Sequence, residues 1–286
     1  MHKFPVYITI VSILFFSCQR AQGEIIAYWN FDGDFGATVG GPSFDLTAVN
    51  GAAAGVSGGR FGSAASFSRA ASQYAFTGGN VLAANSDFSY SAWFNFTGGD
   101  ITGTNRFFVL ETTAGDTPST TGAWTASLGL RDATGTDIAE FFTHPSLAFG
   151  TSPFVANQWN NAIVTYDADG GTNANTGIMR AFINGDLIAT YDNVPSTTAV
   201  GGLVIGGHRA GTGRNFEGLI DDVAFFSHAL TPTQISNLQA MNAAQAMAVP
   251  EPSSLVIAVL CSGVAVIRHR QRSTRRPDAR SLNPLA

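Results

Sequence analysis

The stretch FSYSAWFNF at Phe88–Phe96 decides the fold of this chain. Large apolar side chains alternate there with small polar ones, and a period of two residues is the period of a β-strand. The alternation places on one face Phe88, Tyr90, Ala92, Phe94 and Phe96. The stretch therefore predicts a half-buried strand whose apolar face lies in the core.

Strands with the same period recur through the middle of the chain. They are predicted at residues 25–31, 64–67, 73–76, 106–111, 124–130, 137–143, 159–167, 178–183, 186–190, 203–206 and 218–226. Between two of them lies Asn184-Gly185, a residue pair that readily adopts positive φ, so a two-residue hairpin turn is expected there. Many short strands joined by glycine-rich turns favour an antiparallel sandwich over a parallel α/β sheet.

One helix is predicted in the same part of the chain. Thr231 has the hydroxyl of an N-cap residue, Pro232 suits the first helical position, and Gln234 completes a capping box. Leu230 and Ile235 are spaced to form a hydrophobic staple. The short helix is expected to end near residue 240.

Six motifs, in this order, resemble the laminin-G-like jelly rolls of the concanavalin A-like lectin and glucanase superfamily. They are AYWNFDG at residues 27–33, GRFGSAASF at 59–67, FSYSAWF at 88–94, QWNNAIVTYD at 158–167, FING at 182–185 and FEGLIDDVAFF at 216–226. The resemblance implies an all-β, antiparallel jelly-roll sandwich of the concanavalin A-like type with a short C-terminal helix. Because the superfamily contains binding modules, enzymes and structural modules, the resemblance leaves the function open.

Residues 1–23 have the organisation of a secretory signal peptide. Lys3 adds positive charge near the start, residues 6–16 are largely apolar, and Ala21 and Gly23 are small residues at the positions that a signal peptidase reads. Cleavage is predicted after Gly23. The alternative is a lipoprotein signal at Cys18, although residues 15–17 lack the small aliphatic pattern of such signals.

The C-terminal segment has three consecutive parts, which are Pro250-Glu251-Pro252, an apolar run at residues 255–267 and an arginine-rich block at 268–276. An apolar helix that stops at arginines keeps its basic end in the cytoplasm, so the preceding chain is expected outside. The segment resembles the PEP-CTERM sorting signal of Gram-negative bacteria. The resemblance implies that an exosortase-like membrane protease recognises Pro250-Glu251-Pro252 and removes the apolar helix. The alternative is an ordinary membrane anchor that stays uncut.

These segments predict the organisation of the whole chain. The parts are a signal peptide at 1–23, a laminin-G-like jelly roll at 24–240, a linker at 241–249, a sorting signal at 250–276 and a polar tail at 277–286. The protein is expected at the outer surface or in the extracellular matrix of a Gram-negative-type bacterium, with signal peptidase and an exosortase-like protease as processing partners. The apolar helix would hold it in the membrane before processing.

Charge and cysteine content exclude several functions for the exported part. Residues 24–248 contain seven arginines, no lysine and eighteen Asp or Glu, a net charge of −11. An acidic surface repels nucleic acid, whose binding depends on Lys and Arg, so a nucleic-acid partner is excluded. Cys18 and Cys261 both lie in targeting segments, so neither a disulfide nor a thiolate metal site is expected in the folded part.

The jelly-roll resemblance implies one structural calcium ion that joins the first strand to the last. The matching carboxylates are Asp32 and one of Asp221 and Asp222, which should point to opposite faces of a strand. We expect Asp32 and Asp222 to be the ligands, with carbonyls and water completing a shell of six or more oxygens. The alternative is that these acids cap turns by accepting hydrogen bonds from backbone N–H groups.

No catalytic centre is predicted, and the protein is expected not to be an enzyme. A glycosidase needs two carboxylates about 5 to 9 Å apart across a cleft. Asp137 and Glu140 should lie on opposite faces of their strand, and Glu111 stands alone. The histidines show no spacing for a shared metal, and there is no Gly-x-Ser-x-Gly turn for a serine nucleophile.

The predicted function is therefore a carbohydrate- or envelope-binding module, with extracellular polysaccharide as the partner. The loops at residues 112–122, 169–177 and 208–215 and the concave sheet are the expected binding regions. The tryptophans lie in predicted strands and are expected to fill the core, namely Trp29, Trp93, Trp124 and Trp159. Two alternatives remain, an atypical glycoside hydrolase and a passive coat component without a ligand.

Overall fold

A computed structural model describes residues 24–78, 82–98, 106–113, 126–132, 135–143, 147–195, 197, 201–210 and 213–249. Within these residues the chain forms fifteen strands. They are β1 Ile25–Trp29, β2 Thr47–Val49, β3 Ala53–Ser57, β4 Ser63–Phe67, β5 Tyr74–Thr77, β6 Phe88–Phe96, β7 Phe107–Thr113, β8 Ser127–Asp132, β9 Asp137–Thr143, β10 Leu147–Pro153, β11 Asn160–Asp167, β12 Gly177–Ile183, β13 Asp186–Val194, β14 Gly202–Ile205 and β15 Gly218–Phe226. A 3₁₀ turn at Pro42–Phe44 and two α-helices, α1 Pro232–Ala240 and α2 Ala243–Ala248, complete the described elements.

The strands form two sheets in which all pairs are antiparallel. The eight-stranded sheet has the order β13-β12-β11-β6-β15-β4-β3, and β1 pairs with the second half of β15 beside β4. The seven-stranded sheet has the order β10-β9-β8-β7-β14-β5-β2. The main core contains side chains from both sheets, such as Phe94 from one and Phe141 from the other. This two-sheet arrangement confirms the predicted all-β antiparallel sandwich.

The central strand β6 is buried on both faces, so the prediction of a half-buried strand is wrong. Phe88, Tyr90 and Phe94 lie in the main core, as the alternation predicted. On the other face Ser89 and Ser91 are also fully buried. The Ser89 hydroxyl donates to the carbonyl of His228 at 2.8 Å, in the segment that leads into α1. The C-terminal part of the domain therefore covers the face that was expected to meet solvent.

A second apolar cluster lies under the two helices, on the outer face of the eight-stranded sheet. The sheet contributes Tyr28, Ile163, Ala224 and Phe226, and the helical segment contributes Leu230, Ile235, Leu238, Ala243, Ala246 and Met247. Helix α1 starts with the predicted capping box, in which Gln234 and Thr231 bond reciprocally. This second cluster fixes both helices on the sheet.

The C-terminal boundary differs from the predicted one. Residues 241–249 were expected to form a linker, but α2 lies there and buries Ala243, Ala246 and Met247. The compact unit extends to Ala248. The helix has an N-cap that the prediction did not use, since Asn242 Oδ1 accepts a hydrogen bond from the Gln245 N–H at 2.9 Å. Because the helix is only six residues long, it also depends on burial against the sheet and α1.

The local turn predictions agree with the structure. Asn184 and Gly185 have φ angles of 52° and 89°, which join β12 to β13 as a hairpin. Strands β2, β3 and β10 were not predicted. The first two are TAV and AAGVS, short segments whose small side chains give no clear period.

Candidate functional site

The predicted calcium ligand Asp32 lies in a turn after β1. Its Oδ1 accepts a hydrogen bond from the backbone N–H of Ser63 at 2.8 Å, and its Oδ2 accepts one from the Asn30 amide at 2.9 Å. Gly62 allows this approach, because its φ is +98° and a Cβ there would lie 2.3 Å from Asp32 Oδ1. The carboxylate thus caps the turn between β3 and β4.

The second predicted ligand, Asp222, lies in a β-bulge of β15. Its φ is 49°, and the register shifts between Asp221 and Ala224. The bulge places both carboxylates on the outer face of the eight-stranded sheet, so the expectation that they point to opposite faces is wrong. Asp222 accepts a hydrogen bond from the Tyr28 hydroxyl at 2.5 Å and another from the Ala243 N–H at 3.1 Å.

Both carboxylates of the bulge are fully buried, and burial changes their titration. Burial raises the pKa of Asp222 to about 6, although the Tyr28 hydroxyl and the Ala243 N–H favour the charged form. Burial likewise raises the pKa of Asp221 to about 7, against the hydrogen bond from the Phe61 N–H. A calcium ion on Asp32 and Asp222 would have to compete with these protein donors, and calcium at this position stays a prediction.

The other predicted residues fall into three groups. Gly23, Pro250, Glu251 and Pro252 lie outside the described residues, as does Trp124. Trp29 is buried in the main core, and Trp93 is buried against the other face, where the Arg60 guanidinium lies 4.5 Å from its ring. Trp159 is only partly buried, and its indole N–H donates to the Gly58 carbonyl at 3.3 Å.

The outer face of the seven-stranded sheet carries two buried glutamates. Glu111 lies on β7 and Glu140 on β9, with relative exposures of 1% and 2%. Through β8, Glu111 is paired with Ser127 and Glu140 with Gly129. The sequence left Glu111 isolated, but the β7-β8-β9 meander brings it to the same face as Glu140.

Glu111 is bound by the segment that follows β14. Its Oε2 accepts a hydrogen bond from the backbone N–H of Arg209, and its Oε1 accepts one from Arg209 Nη1, both at 2.7 Å. Burial raises the pKa of Glu111, and the hydrogen bonds and charge of Arg209 partly offset this rise. His208 Nε2 lies 3.7 Å from Glu111 Oε2, and burial lowers the pKa of His208 to about 4, so this imidazole is neutral at pH 7.

Glu140 binds two arginines through one oxygen. Arg106 Nε lies 2.7 Å from Glu140 Oε2, and Arg131 Nε lies 3.0 Å from the same atom. The two arginine side chains are 35% and 31% exposed, whereas the glutamate side chain is 3% exposed. A buried carboxylate therefore anchors two partly exposed guanidinium groups at this face.

Two phenylalanine rings lie between the two glutamate clusters. The ring centroids of Phe108 and Phe142 are 6.4 Å apart. They meet above Gly129, where a Cβ would lie 3.2 Å from Phe142 and 3.5 Å from Phe108. The Arg106 guanidinium lies 4.9 Å from the centroid of the Phe142 ring. The face thus has an aromatic centre with a charged cluster on each side.

The two glutamates lie on strands that are separated by β8. They lie two strands and two residues apart in register, which corresponds to about 12 Å between their Cα atoms. Each glutamate also hydrogen bonds to a guanidinium group, so both carboxylates are held in fixed contacts.

A pocket of about 450 Å³ lies on the opposite side of the sandwich, between α1 and strands β11 and β12. Phe182 and Ile235 contribute apolar walls, and Arg180, Asp186 and Gln239 contribute polar groups. Its size falls within the usual range for a small-molecule site.

The predicted binding loops are described in part. Most of residues 112–122 lie outside the described residues, as do 211 and 212 of the 208–215 loop. The 169–177 loop is exposed and is held to β13, since the N–H and hydroxyl of Thr172 both donate to Asp192. His208 and Arg209 from the 208–215 loop join the Glu111 cluster.

Two further properties concern only the described residues. No group of three or more His, Cys, Asp or Glu side chains is arranged there to hold a metal ion. None of the helices in this part of the chain is both long and apolar enough to cross a membrane. The predicted sorting helix lies outside the described residues and stays a prediction.

The sequence matches a family model, Laminin_G_3, which is described as the concanavalin A-like lectin/glucanases superfamily. The match covers residues 69–236, more than half of the chain. The protein therefore belongs to this superfamily. A search of the curated proteins finds no relative.

Solved structures confirm the fold. Domain 4 of AbnA, a GH43 extracellular arabinanase from Geobacillus stearothermophilus solved in complex with arabinotriose, aligns with a TM-score of 0.55 at 18% identity over 76% of this chain and 98% of that chain. The binding domain of Paraclostridial Mosquitocidal Protein 1 aligns with a TM-score of 0.52 at 13% identity over 76% and 51%. The receptor binding domain of botulinum neurotoxin type G gives a TM-score of 0.50 at 12% identity over 76% and 51%. The chain thus spans about half the length of these two toxin domains, and identities this low indicate a common fold only.

Proposed function

We propose that the folded domain is a non-catalytic carbohydrate-binding module, and that it binds glycan through the outer face of the seven-stranded sheet. The observation that carries this proposal is the concentration of cations there. Residues 24–248 contain seven arginines, and three of them pair with the two glutamates of this face, namely Arg106, Arg131 and Arg209. The positive charge of a fourth, Arg214, also acts on Glu111. An acidic domain that groups its few cations on one sheet face has a surface suited to a polar ligand.

The chemistry of this face suits sugar hydroxyl groups. Guanidinium groups donate several hydrogen bonds in one plane, and carboxylates accept them. Domain 4 of AbnA, which has the same fold, was solved with arabinotriose, and this supports a carbohydrate as the class of ligand.

The non-catalytic part of the proposal follows from the positions of Glu111 and Glu140. Each glutamate is almost fully buried and paired with arginine, and the rings of Phe108 and Phe142 lie between the two. The arginines hold both carboxylates in fixed orientations. A general acid must reach the substrate to exchange a proton with it, whereas these two carboxylates are buried beneath their arginines.

Retention of the protein on a panel of immobilised polysaccharides tests the function. We expect retention on at least one polymer without release of reducing ends. Sustained release of reducing ends would support the alternative of an atypical glycoside hydrolase. Retention on none of the polymers would support the alternative of a passive coat component.

We further propose that the protein is exported and sorted to the outer surface or extracellular matrix. Signal peptidase would cleave after Gly23, and an exosortase-like protease would recognise Pro250-Glu251-Pro252 before the apolar and basic segments. Replacement of these three residues by alanine should leave a longer, membrane-retained product in the native host. A product of unchanged size and release would contradict recognition of this motif.

A further inference from the structure

We propose that Arg106 and Arg131 form a subsite for the carboxylate group of an acidic sugar, such as a uronate residue in a polysaccharide. This inference rests on the proposed function, and it specifies the class of sugar that the same face binds.

The first observation is the geometry that Glu140 imposes on the two arginines. Both Nε atoms bond to the same carboxylate oxygen, at 2.7 and 3.0 Å. The Arg106 guanidinium also lies over the Phe142 ring. Because a shared acceptor and an aromatic ring restrict the guanidinium groups, less conformational freedom is lost when they bind a ligand.

The second observation is the hydrogen-bonding capacity that remains. A guanidinium group has five N–H donors, and only the Nε donor of each arginine is used for Glu140. Among the described residues, the terminal Nη atoms of Arg106 and Arg131 have no hydrogen-bond acceptor. Both side chains are about one third exposed, so a ligand at the surface can approach these two arginines.

The third observation is the charge. Arg106 and Arg131 together with Glu140 have a local net charge of +1 in a domain whose net charge is −11. The other arginines with described hydrogen bonds are engaged differently. Arg60 Nη2 and Arg69 Nη2 donate to backbone carbonyls, and Arg209 Nη1 donates to Glu111. A planar pair of donors with net positive charge matches a carboxylate in both shape and sign.

The test compares two polymers with the same backbone, polygalacturonate and its fully methyl-esterified form. We expect the full-length protein to bind polygalacturonate at least tenfold more tightly than the ester. Arg106→Gln and Arg131→Gln should each weaken binding to polygalacturonate by tenfold or more. Arg106→Lys and Arg131→Lys should cause comparable losses, because lysine keeps the charge and lacks the planar fork.

Arg180→Gln is the matched control, because it removes one arginine from the opposite side of the sandwich and should leave binding unchanged. Melting curves would verify that every variant is folded. Equal binding of polygalacturonate and its ester, full binding by the Arg106 and Arg131 variants, or an equal loss in Arg180→Gln would each overturn the inference. Equally tight binding of dextran sulfate would also overturn it, because a general polyanion site would then suffice.

The outcomes separate this inference from the proposed function. If the protein is retained on the methyl ester or another neutral polysaccharide but not on polygalacturonate, the carboxylate subsite is wrong and the carbohydrate-binding function stands. If it is retained on neither polymer nor on any other member of the panel, both are wrong.

Discussion

The outer faces of the two sheets differ in whether their buried acidic side chains are paired with arginines. On the eight-stranded sheet, α1 and α2 cover an apolar cluster, and Asp221 and Asp222 are buried there without an ion pair to any described residue. On the seven-stranded sheet, Glu111 and Glu140 are equally buried and are paired with arginines. The first face is closed by the chain itself, whereas the second keeps partly exposed cations and is the face to which we assign binding.

The largest expected effect is a difference in the free energy of unfolding between a substitution under α1 and a substitution on the seven-stranded sheet. Leu238 is fully buried in the cluster under α1. Leu238→Ala should lower the free energy of unfolding by about 2 to 5 kcal/mol, because it leaves a cavity. The change is measured by chemical denaturation.

Arg106→Gln is the matched change on the other face. Its arginine is about one third exposed, and Arg131 still pairs with Glu140. We expect it to cost about 1 to 2 kcal/mol of stability, because buried Glu140 keeps one of its two charged donors. A larger loss of stability in Arg106→Gln than in Leu238→Ala would contradict the division between a structural face and a binding face.

A second change removes α2. A chain that ends at Asn242 lacks the buried side chains of Ala243, Ala246 and Met247, and Asp222 loses the Ala243 N–H. The expected loss is about 2 to 4 kcal/mol, from apolar burial and an unpaired buried group. A chain that ends at Val249 is the control, and equal denaturation midpoints would show that residues 243–248 act only as a linker.

Much of the fold could be predicted from the sequence because large side chains alternate clearly in the central strands. Residues 88–96, 137–143 and 218–226 were predicted with the observed bounds. Periodicity could not show that α1 and α2 cover the second face of β6. This depends on tertiary packing of the C-terminal segment, and a serine in a strand has the same pattern whether water or a helix lies above it.

The pH dependence of stability should reveal the buried carboxylate at Asp222. Its pKa is raised by burial to about 6, so between pH 4 and 6 the folded state binds more protons than the unfolded state. Stability from this group is therefore fully present below about pH 4 and lost as the pH rises through 6, by up to about 3 kcal/mol. The pKa of Asp222 is influenced by two neighbouring titratable groups, Asp32 and Tyr28. Asp222 in turn raises the pKa values of Asp221 and Tyr28.

Asp222→Asn removes this titration. The difference in unfolding free energy between wild type and variant, measured from pH 4 to 7, should change in favour of the variant as the pH rises. His208 acts in the opposite direction, because its lowered pKa makes the folded state lose stability as the pH falls from about 6.5 toward 4. The contribution of His208 is the same in wild type and in Asp222→Asn, so it cancels in the difference between their unfolding free energies. A difference that is constant with pH would show that Asp222 does not titrate in this range.

Calcium should have the smallest effect. An ion at Asp32 and Asp222 would stabilise only the folded state, so chelation is expected to lower the Tm, and Asp32→Ala should abolish this response. Because both carboxylates already accept protein hydrogen bonds, we expect a shift of a few degrees at most. Identical melting curves with and without chelator would contradict calcium binding at these residues.

The candidate site could not be predicted from strand periodicity alone. In a regular strand Glu111 would share a face with Phe107 and Val109, but the register shifts between Phe108 and Leu110. The β-bulge puts Glu111 on the face of Phe108 instead. A second bulge, at Asp222, changed the expected directions of Asp221 and Asp222 in the same way. In both strands one extra residue changed the face to which the following side chain points, and strand periodicity does not show where such a residue is inserted.

The central claim is that glycan binds the outer face of the seven-stranded sheet. Amide hydrogen exchange with and without the polysaccharide that the protein retains most strongly tests it directly. We expect slower exchange on binding in Phe107–Thr113, Ser127–Asp132 and Asp137–Thr143 and in the segment of His208 and Arg209, with no change in Pro232–Ala240. Slower exchange confined to Gly177–Ile183 and Pro232–Ala240 would place the ligand in the pocket beside α1 and contradict the claim.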